Sequence, residues 1–265
     1  MARSTYYERL KSLEKPDKYH DVKEVIKKIF KDSKETYGYR RIHCILTKLG
    51  FTYCLETVRH LMTQLGLKVT IYSNKNKSTY RSYRGKVGQI APNILKQNFN
   101  ESIPYKVLHT DISQKKLSNS IRGYISPVID EASGQVVACA ISSHPDQALI
   151  NETLSQLFHQ LPHGSQSILH SDQGWHYQLP FYRQQLRDHQ IIQSMSRKGN
   201  CLDNSPVESF FNLLKRECLN RIEITTLTQL KLIVKRYIKW YNNNRISLNK
   251  NGMTPNEYIQ CHSNI

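Results

Sequence analysis

The sequence lacks the features of a secreted, membrane-spanning or disordered protein. It has no run of about 20 apolar residues, the length that a membrane span requires. Residues 1–7 contain no apolar segment of the kind found in a secretory signal. Its 6 cysteines are scattered without a Cys-x-x-Cys pair, which argues against a disulfide framework or a zinc module. Because 38% of the residues are hydrophobic, wholesale disorder is excluded. We expect a folded cytoplasmic protein with reduced thiols.

Acidic residues are scarce relative to basic ones. The chain has 38 Lys and Arg against 21 Asp and Glu, a formal net charge of +17 at pH 7. Such an excess favours a polyanionic partner, and DNA or RNA is the usual one. A basic protein without a nucleic-acid partner is the alternative that charge alone leaves open. At 265 residues the chain has room for about two domains.

Residues 1–66 are predicted to form a small all-helical domain. Apolar residues recur at helical spacing over 21–30, 39–49 and 55–65, and Gly50 and Gly66 follow the last two as helix stops. Such a helix pair is typical of a helix-turn-helix, whose second helix enters the major groove of DNA, although helix pairs also pack without DNA. The predicted core residues are Val22, Val25, Ile26, Ile29, Ile42, Ile45, Leu46, Leu49, Val58, Leu61, Met62 and Leu65. The residues predicted to lie on or near the DNA face are Thr57, Arg59, His60 and Thr63.

Residues 67–100 are predicted to be a basic linker. The stretch contains seven Lys or Arg residues, among them Arg81 and Arg84, and no Asp or Glu. Three tyrosines are interleaved with these cations, and no clean periodicity is present. A solvated linker is one interpretation. The favoured one is a linker that follows DNA phosphates, which would make DNA affinity depend on salt.

Residues 101–225 are predicted to form an α/β domain. Five strands are indicated, over 107–112, 121–129, 136–141, 167–170 and 191–195, of which the first three form a meander. Helices are indicated from Pro145, over 179–189 and after residue 205. This order of elements predicts a mixed sheet covered by helices. Residues 226–265 are predicted to be a C-terminal helical extension.

Three carboxylates lie at the ends of these predicted elements. Asp111 ends the first strand, Asp172 follows the fourth strand, and Glu208 lies in the first turns of a helix that also carries Lys215. Ligands gather at strand ends in such sheets. Carboxylate oxygens are the ligands that Mg²⁺ prefers, and three of them can hold two ions about 4 Å apart for phosphoryl transfer. A single carboxylate is more often a cap or a solvated charge, so the prediction depends on their joint placement.

The spacing and the flanking residues resemble a known family. Asp172 and Glu208 are separated by 35 residues, as in the DD(35)E signature of transposases and retroviral integrases. The surrounding motifs are similar to those of the IS-three family of insertion-sequence transposases, in the protein of the second reading frame (OrfB type). They are Tyr37–Ile42, Thr57–Met62, Thr110–Asp111, His170–Gly174, Ser194–Phe211, Leu214–Glu217 and Tyr241–Asn242 with Arg245, Gly252, Thr254, Pro255 and Tyr258.

The resemblance implies a fold, a reaction and partners. The fold is an RNase H-like core with a DDE site in which Asp111, Asp172 and Glu208 bind two Mg²⁺ ions, for which Mn²⁺ can substitute. The reaction is cleavage at the ends of the element, followed by attack of the 3′-hydroxyl on another DNA phosphodiester. The resemblance also implies that Lys215 would contact DNA near the element end, and its Tyr37–Ile42 motif would place Arg40 and Arg41 in the helix-turn-helix.

The partners that the resemblance implies are the terminal inverted repeats and target DNA, the first-reading-frame protein of the same element, which can be joined to this chain by frameshifting, and further copies of this chain on DNA. The implied location is the bacterial nucleoid, and no membrane is involved. His109, where an aromatic or aliphatic residue is common, and Ser205, where alanine is common, depart from the family pattern.

Two other functions are compatible with the residues. An RNase H-like nuclease would cut DNA without joining it. A non-enzymatic DNA-binding regulator would use the helix pair and the basic charge, but it would leave the spacing of the three carboxylates without a role.

Overall fold

A computed structural model describes residues 3–7, 16–71, 88–118 and 120–262, with the side chain of Cys201 excepted. The chain divides into two compact units, residues 1–73 and 74–265. The predicted linker residues Arg81 and Arg84 lie outside the described residues. Both units are described separately below.

Within residues 16–71 of the first unit, three helices pack together: α1 (His20–Asp32), α2 (Tyr39–Lys48) and α3 (Leu55–Gln64). Their apolar stripes meet in one core, whose members are Val22, Ile26, Ile29, Phe30, Ile42, Leu46, Val58, Leu61 and Met62. Gly50 and Gly66 have φ angles of +89° and +65°, the left-handed conformation that ends α2 and α3 as expected. The prediction that Leu49 faces the core is wrong, because α2 ends at Lys48 and Leu49 is 58% exposed.

The second unit is built around a six-stranded mixed sheet. The strands are β1 (Val107–Thr110), β2 (Ser113–Lys116), β3 (Arg122–Asp130), β4 (Val136–Ser142), β5 (Ile168–Ser171) and β6 (Ile192–Met195). Across the sheet the order is β4-β3-β1-β5-β6, with β3 antiparallel to β1 and β4, and β5 parallel to β1 and β6. This is the RNase H-like arrangement that the family resemblance implied, and the predicted fold class is confirmed.

The sheet contains one strand more than the sequence predicts. β2 pairs antiparallel with β3, and its register continues that of β1, from Thr110 opposite Val128 to Ser113 opposite Ile125. Its sequence, Ser-Gln-Lys-Lys, lacks the β-branched and aromatic residues that mark strands. β2 is therefore held by backbone pairing with β3, and the predicted first strand, 107–112, ends earlier, at Thr110.

Helices cover both faces of the sheet. They are α4 (Gln147–Gln160), α5 (Trp175–Gln178), α6 (Pro180–Asp188), α7 (Ser205–Leu214), α8 (Leu227–Asn244) and α9 (Pro255–His262), and Lys215–Leu219 forms a π-helical turn after α7. α4, α5 and α6 bury one face of the sheet, while α7 and α8 bury the other. α4 begins two residues after Pro145, the predicted start, because Asp146 is its N-cap and accepts a hydrogen bond from the Leu149 N–H at 3.1 Å.

Two segments differ from the predicted division of the chain. α8 belongs to the region predicted to be an extension, yet Leu230, Val234 and Tyr237 are wholly buried in the same core as α7. Residues 88–100, predicted to be part of the linker, bond to the sheet: the Ile94 N–H donates to Ser194 Oγ at 3.0 Å. Both contacts join residues far apart in sequence, so local periodicity carries no signal for them.

Candidate active site and nucleic-acid surface

Asp111 lies in the interruption between β1 and β2, where the chain leaves an apolar strand and enters a polar one. The Ile112 N–H donates to Asp111 Oδ1 at 2.7 Å, which orients the carboxylate. The neighbouring residue, Thr110, is buried and donates its hydroxyl proton to Pro127 O at 2.9 Å. The strand end is therefore anchored, and the carboxylate is at its tip.

Asp172 directly follows β5, the strand parallel to β1. Because parallel neighbours end at the same edge of a sheet, both aspartates lie at that edge. The Gly174 N–H donates to Asp172 Oδ1 at 2.8 Å. A Cβ atom on residue 174 would lie 2.9 Å from that oxygen, so the glycine permits this close approach.

Glu208 lies in the first turn of α7 and is half-buried. Its helix is fixed by Val207, Phe210 and Leu214, all essentially unexposed in the core beneath α7 and α8. Lys215, predicted to share a helical face with Glu208, is the first residue of the π-helical turn. Its ammonium lies 5.7 Å from the centre of the Phe211 ring.

The electrostatics connect these four side chains. Burial, and after it the charge of Asp172, raise the pKa of Asp111 to about 8, with Glu208 acting in the same direction and Lys215 against it. Burial also raises the pKa of Asp172 and of Glu208. Burial lowers the pKa of Lys215, while the charge of Asp111 opposes that shift. Perturbed carboxylates of this kind cluster at functional sites.

The donor chemistry fits a divalent ion, since carboxylate oxygens are hard ligands and a cation would offset the repulsion between Asp111 and Asp172. Within the described ranges, however, no three His, Cys, Asp or Glu side chains form a group that could hold a metal ion.

A buried polar layer that contains His109 and His170 lies next to the carboxylates. His109 is wholly buried and bonds to Glu131 Oε2 at 2.7 Å and to Asn204 Oδ1 at 3.1 Å. The ring of His170, also wholly buried, lies 5.6 Å from that of His109, centre to centre, and bonds to two serine hydroxyls. Burial lowers the pKa of His170 to about 4, so it is neutral at pH 7. A signal was available: each histidine stands two residues before an aspartate, on the same side of its strand.

Asp203 organises the loop that leads to Glu208. Its carboxylate accepts hydrogen bonds from Arg197 Nε at 3.0 Å, Asn93 Nδ2 at 2.9 Å and Gln97 Nε2 at 2.7 Å. The hydrogen bond from Arg197 holds the pKa of this carboxyl far below its usual range. Asp203 thereby attaches the segment 88–100 to the loop that precedes α7.

In the first unit, three of the predicted DNA contacts lie on the surface of α2 and α3. Arg40, Arg59 and His60 are exposed, and the guanidinium carbons of Arg40 and Arg59 lie 5.8 and 5.9 Å from the centre of the Tyr39 ring. Arg59 also forms an exposed ion pair with Glu56 at 3.2 Å. The two arginines and the tyrosine form a basic, aromatic patch that spans both helices.

Two other predicted contacts are less accessible. Thr57 is half-buried, with its hydroxyl 3.1 Å from Cys54 Sγ. Arg41 is half-buried, with its guanidinium carbon 5.4 Å from the centre of the Tyr37 ring. Both side chains are therefore less accessible to DNA than those of Arg40, Arg59 and His60.

Comparisons with known proteins match both units. Two models described as integrase core domain match residues 101–201 and 208–261, and one described as HTH-like domain matches residues 18–75. The chain is 43% identical, over 97% of its length and 89% of the relative, to InsK of insertion sequence element IS150 in Escherichia coli (strain K12), which is named as a transposase. It is 29% identical, over 88% of its length and 80% of the relative, to the transposase InsF for insertion sequence IS3A of the same organism.

Among solved structures, the HTLV-2 integrase catalytic core domain in complex with magnesium aligns with 58% of this chain and 95% of its own, at 15% identity and a TM-score of 0.47. In the described part of the chain, no helix has the length and apolar character needed to cross a membrane.

The sheet order, the carboxylates at its edge and the matched domains define an integrase-core protein that also carries a helix-turn-helix-like domain. The relatives narrow that class. The chain belongs to the insertion-sequence transposases of the IS3 family, as its motifs indicated.

Proposed function

We propose that the chain is a DDE-type polynucleotidyl transferase, which cleaves DNA at the ends of its insertion sequence and transfers the 3′-hydroxyl to a DNA phosphodiester. Asp111, Asp172 and Glu208 are the proposed catalytic and metal-binding residues. The observation that carries the proposal is the proximity of these carboxylates: Asp111 and Asp172 lie at one edge of the sheet, and the charges of Asp172 and Glu208 add to burial in raising the pKa of Asp111 to about 8. A group of buried carboxylates whose charges repel one another suits cation binding, and Lys215 offsets only part of that repulsion.

The proposed cofactor is Mg²⁺, as two ions, with Mn²⁺ as a substitute. Asp111, Asp172 and Glu208 would hold it, and it would supply charge neutralisation and activation of water for phosphoryl transfer. The chain's own contribution is orientation. The Ile112 N–H donates to Oδ1 of Asp111, and the Gly174 N–H donates to Oδ1 of Asp172. Each hydrogen bond fixes the orientation of the whole carboxylate, including its second oxygen.

DNA is the proposed partner of both units. Lys215, next to the carboxylates, would contact a phosphate close to the reacting bond without reading its sequence. The patch of Arg40, Arg59 and Tyr39 would bind element DNA together with His60, Arg41 and Thr57. The basic segment that contains Arg81 and Arg84 would follow DNA phosphates. Terminal inverted repeats, target DNA, the first-reading-frame protein, additional copies of the chain on DNA and a nucleoid location complete the proposal.

The test is a set of isosteric substitutions, Asp111→Asn, Asp172→Asn and Glu208→Gln. Each substitution removes the charge of one proposed metal ligand and keeps the shape of the side chain. The rates of cleavage and joining should fall by more than about 100-fold, which exceeds the usual cost of losing a residue that only hydrogen-bonds to a metal ligand. DNA affinity should be retained. Glu152→Gln, at an exposed position of α4, is the matched control and should leave cleavage unchanged.

The outcomes separate the candidate functions. Normal strand transfer by any of the three variants would overturn the assignment of the triad. Cleavage without joining by the unaltered chain would favour a nuclease. DNA binding without any metal-dependent nicking would favour a regulator.

A further inference from the structure

The polar layer beside the site connects elements that are distant in sequence. His109 lies in β1, two residues before Asp111. Glu131 follows the end of β3, and Asn204 directly precedes α7, which carries Glu208. The His109 imidazole bonds to both partners, at 2.7 Å to Glu131 and 3.1 Å to Asn204. One buried ring therefore joins the backbones that carry two of the three proposed catalytic carboxylates.

The orientation of the Asn204 amide follows from its partners. Asn204 Nδ2 donates to Thr110 O at 3.0 Å, so its Oδ1 faces His109 Nδ1 and accepts from it. His109 Nε2 faces the Glu131 carboxylate, whose other oxygen accepts the Glu101 N–H at 3.0 Å. Asparagine is a favoured N-cap, yet the side chain of this N-cap residue makes no hydrogen bond to α7. Its amide is directed at β1 instead.

The hydrogen-bonded side chains of this layer are buried, so water cannot replace a lost partner. His109 is 0% exposed and Asn204 is 4% exposed, and the Glu131 side chain is 5% exposed. A displaced partner would leave a polar atom in the interior without water, which is costly. The separation of β1 and α7 is therefore set by directed hydrogen bonds between His109, Asn204 and Thr110, in addition to apolar packing.

We infer that His109, Glu131 and Asn204 are positioning residues that hold Asp111 and Glu208 in the mutual arrangement needed to bind the divalent ion. The inference rests on the proposed function of these two carboxylates. Partners of this kind, one step removed from a metal site, commonly cost 10–100-fold in metal affinity or activity when they are removed.

The experiment compares His109→Phe and Asn204→Ala with the unaltered chain. Phenylalanine retains an aromatic ring at the position but removes both hydrogen bonds. Two quantities are measured: the rate of cleavage at saturating DNA, and the Mn²⁺ concentration at half of the metal-induced rise in Tm, which needs no turnover. The rate is expected to fall about 10–100-fold and the Mn²⁺ midpoint to rise about 10-fold, while Kd for DNA stays within about 2-fold.

A conservative pair and a remote control distinguish positioning from general destabilisation. Glu131→Gln retains hydrogen-bonding capacity toward His109 and should keep most of the rate, whereas Glu131→Leu should behave like His109→Phe. The control is Leu186→Ala, which removes a buried side chain of α6 from the core on the face of the sheet opposite α7. It should lower Tm without moving the Mn²⁺ midpoint.

An unchanged Mn²⁺ midpoint in Asn204→Ala and Glu131→Leu would overturn the inference. It would also be overturned if the rate in these two variants fell only in proportion to Tm, with the same proportion as in Leu186→Ala. Asn204→Ala and Glu131→Leu keep the test decisive if His109→Phe does not fold. If Asp111→Asn abolishes cleavage while the network variants keep the midpoint, only this inference fails. If Asp111→Asn remains active, the proposed function fails first.

Discussion

A buried ion pair between Arg245 and Glu217 secures the end of α8 to the turn that carries Lys215. Arg245 Nε donates to Glu217 Oε2 at 2.9 Å, and Arg245 Nη2 donates to Oε1 at 2.8 Å. The Tyr237 hydroxyl donates to Oε2 at 2.8 Å. The side chains of Arg245 and Glu217 are 6% and 0% exposed. Arg245→Met would therefore leave a buried carboxylate with the tyrosine hydroxyl but without its guanidinium.

Removing one member of a buried pair costs about 3–5 kcal/mol, because the remaining charge is uncompensated. For a unit of this size each kcal/mol corresponds to a Tm shift of roughly 2–4 °C, so a fall of about 6–20 °C is expected. Replacing both partners, Glu217→Leu with Arg245→Met, should recover most of that loss, since an apolar pair of similar volume is often as stable.

The assay is urea unfolding of the full chain, followed by tryptophan emission. Both tryptophans, Trp175 and Trp240, belong to the second unit, so the signal reports that unit alone. Arg236→Met, at an exposed position of α8, is the matched control and should change the free energy of unfolding by less than about 0.5 kcal/mol. A cost below about 1 kcal/mol for Arg245→Met, or a double variant as unstable as the sum of the single changes, would refute the reasoning.

Three further predictions address DNA binding, domain independence and pH. Lys215→Ala should reduce the slope of log K for DNA against log salt concentration by about 0.9, the value for one phosphate contact. Lys239→Ala is the control. An unchanged slope in Lys215→Ala would rule out the proposed DNA contact of Lys215. Deletion of residues 1–66 should weaken DNA binding and leave residues 100–225 folded, and loss of cooperative unfolding would contradict this. The pKa of Asp111 is raised from its ordinary value of 3.8 to about 8 in the folded chain. Between these two pH values the folded chain keeps the proton and the unfolded chain has lost it, so the free energy of unfolding falls as the pH rises. Asp111→Asn should thus raise Tm more at pH 8 than at pH 5 in metal-free buffer.

Local features of the sequence were sufficient to locate the three helices within residues 16–71 and the strands that carry the site, although the first of these strands ends at Thr110 and not at residue 112. Helical spacing and the two glycines delimit α2 and α3, and the alternation of apolar and polar stretches indicates β1, β5 and β6. The positions of Asp111, Asp172 and Glu208 relative to those elements follow from such short-range patterns. The short motifs around these three residues also indicated the family, because the residues of each motif are contiguous in the chain.

Tertiary structure alone decided the contacts that join distant segments. β2 is a strand because its backbone pairs with β3 in the same register as β1, although the residues of β2 do not favour a strand. His109 bonds to Glu131, 22 residues away, and to Asn204, 95 residues away. Such partners depend on the order of strands in the sheet and on which helix covers each face. Hydrophobic periodicity extends over a few residues at a time, so it determines elements and their buried sides but not their neighbours.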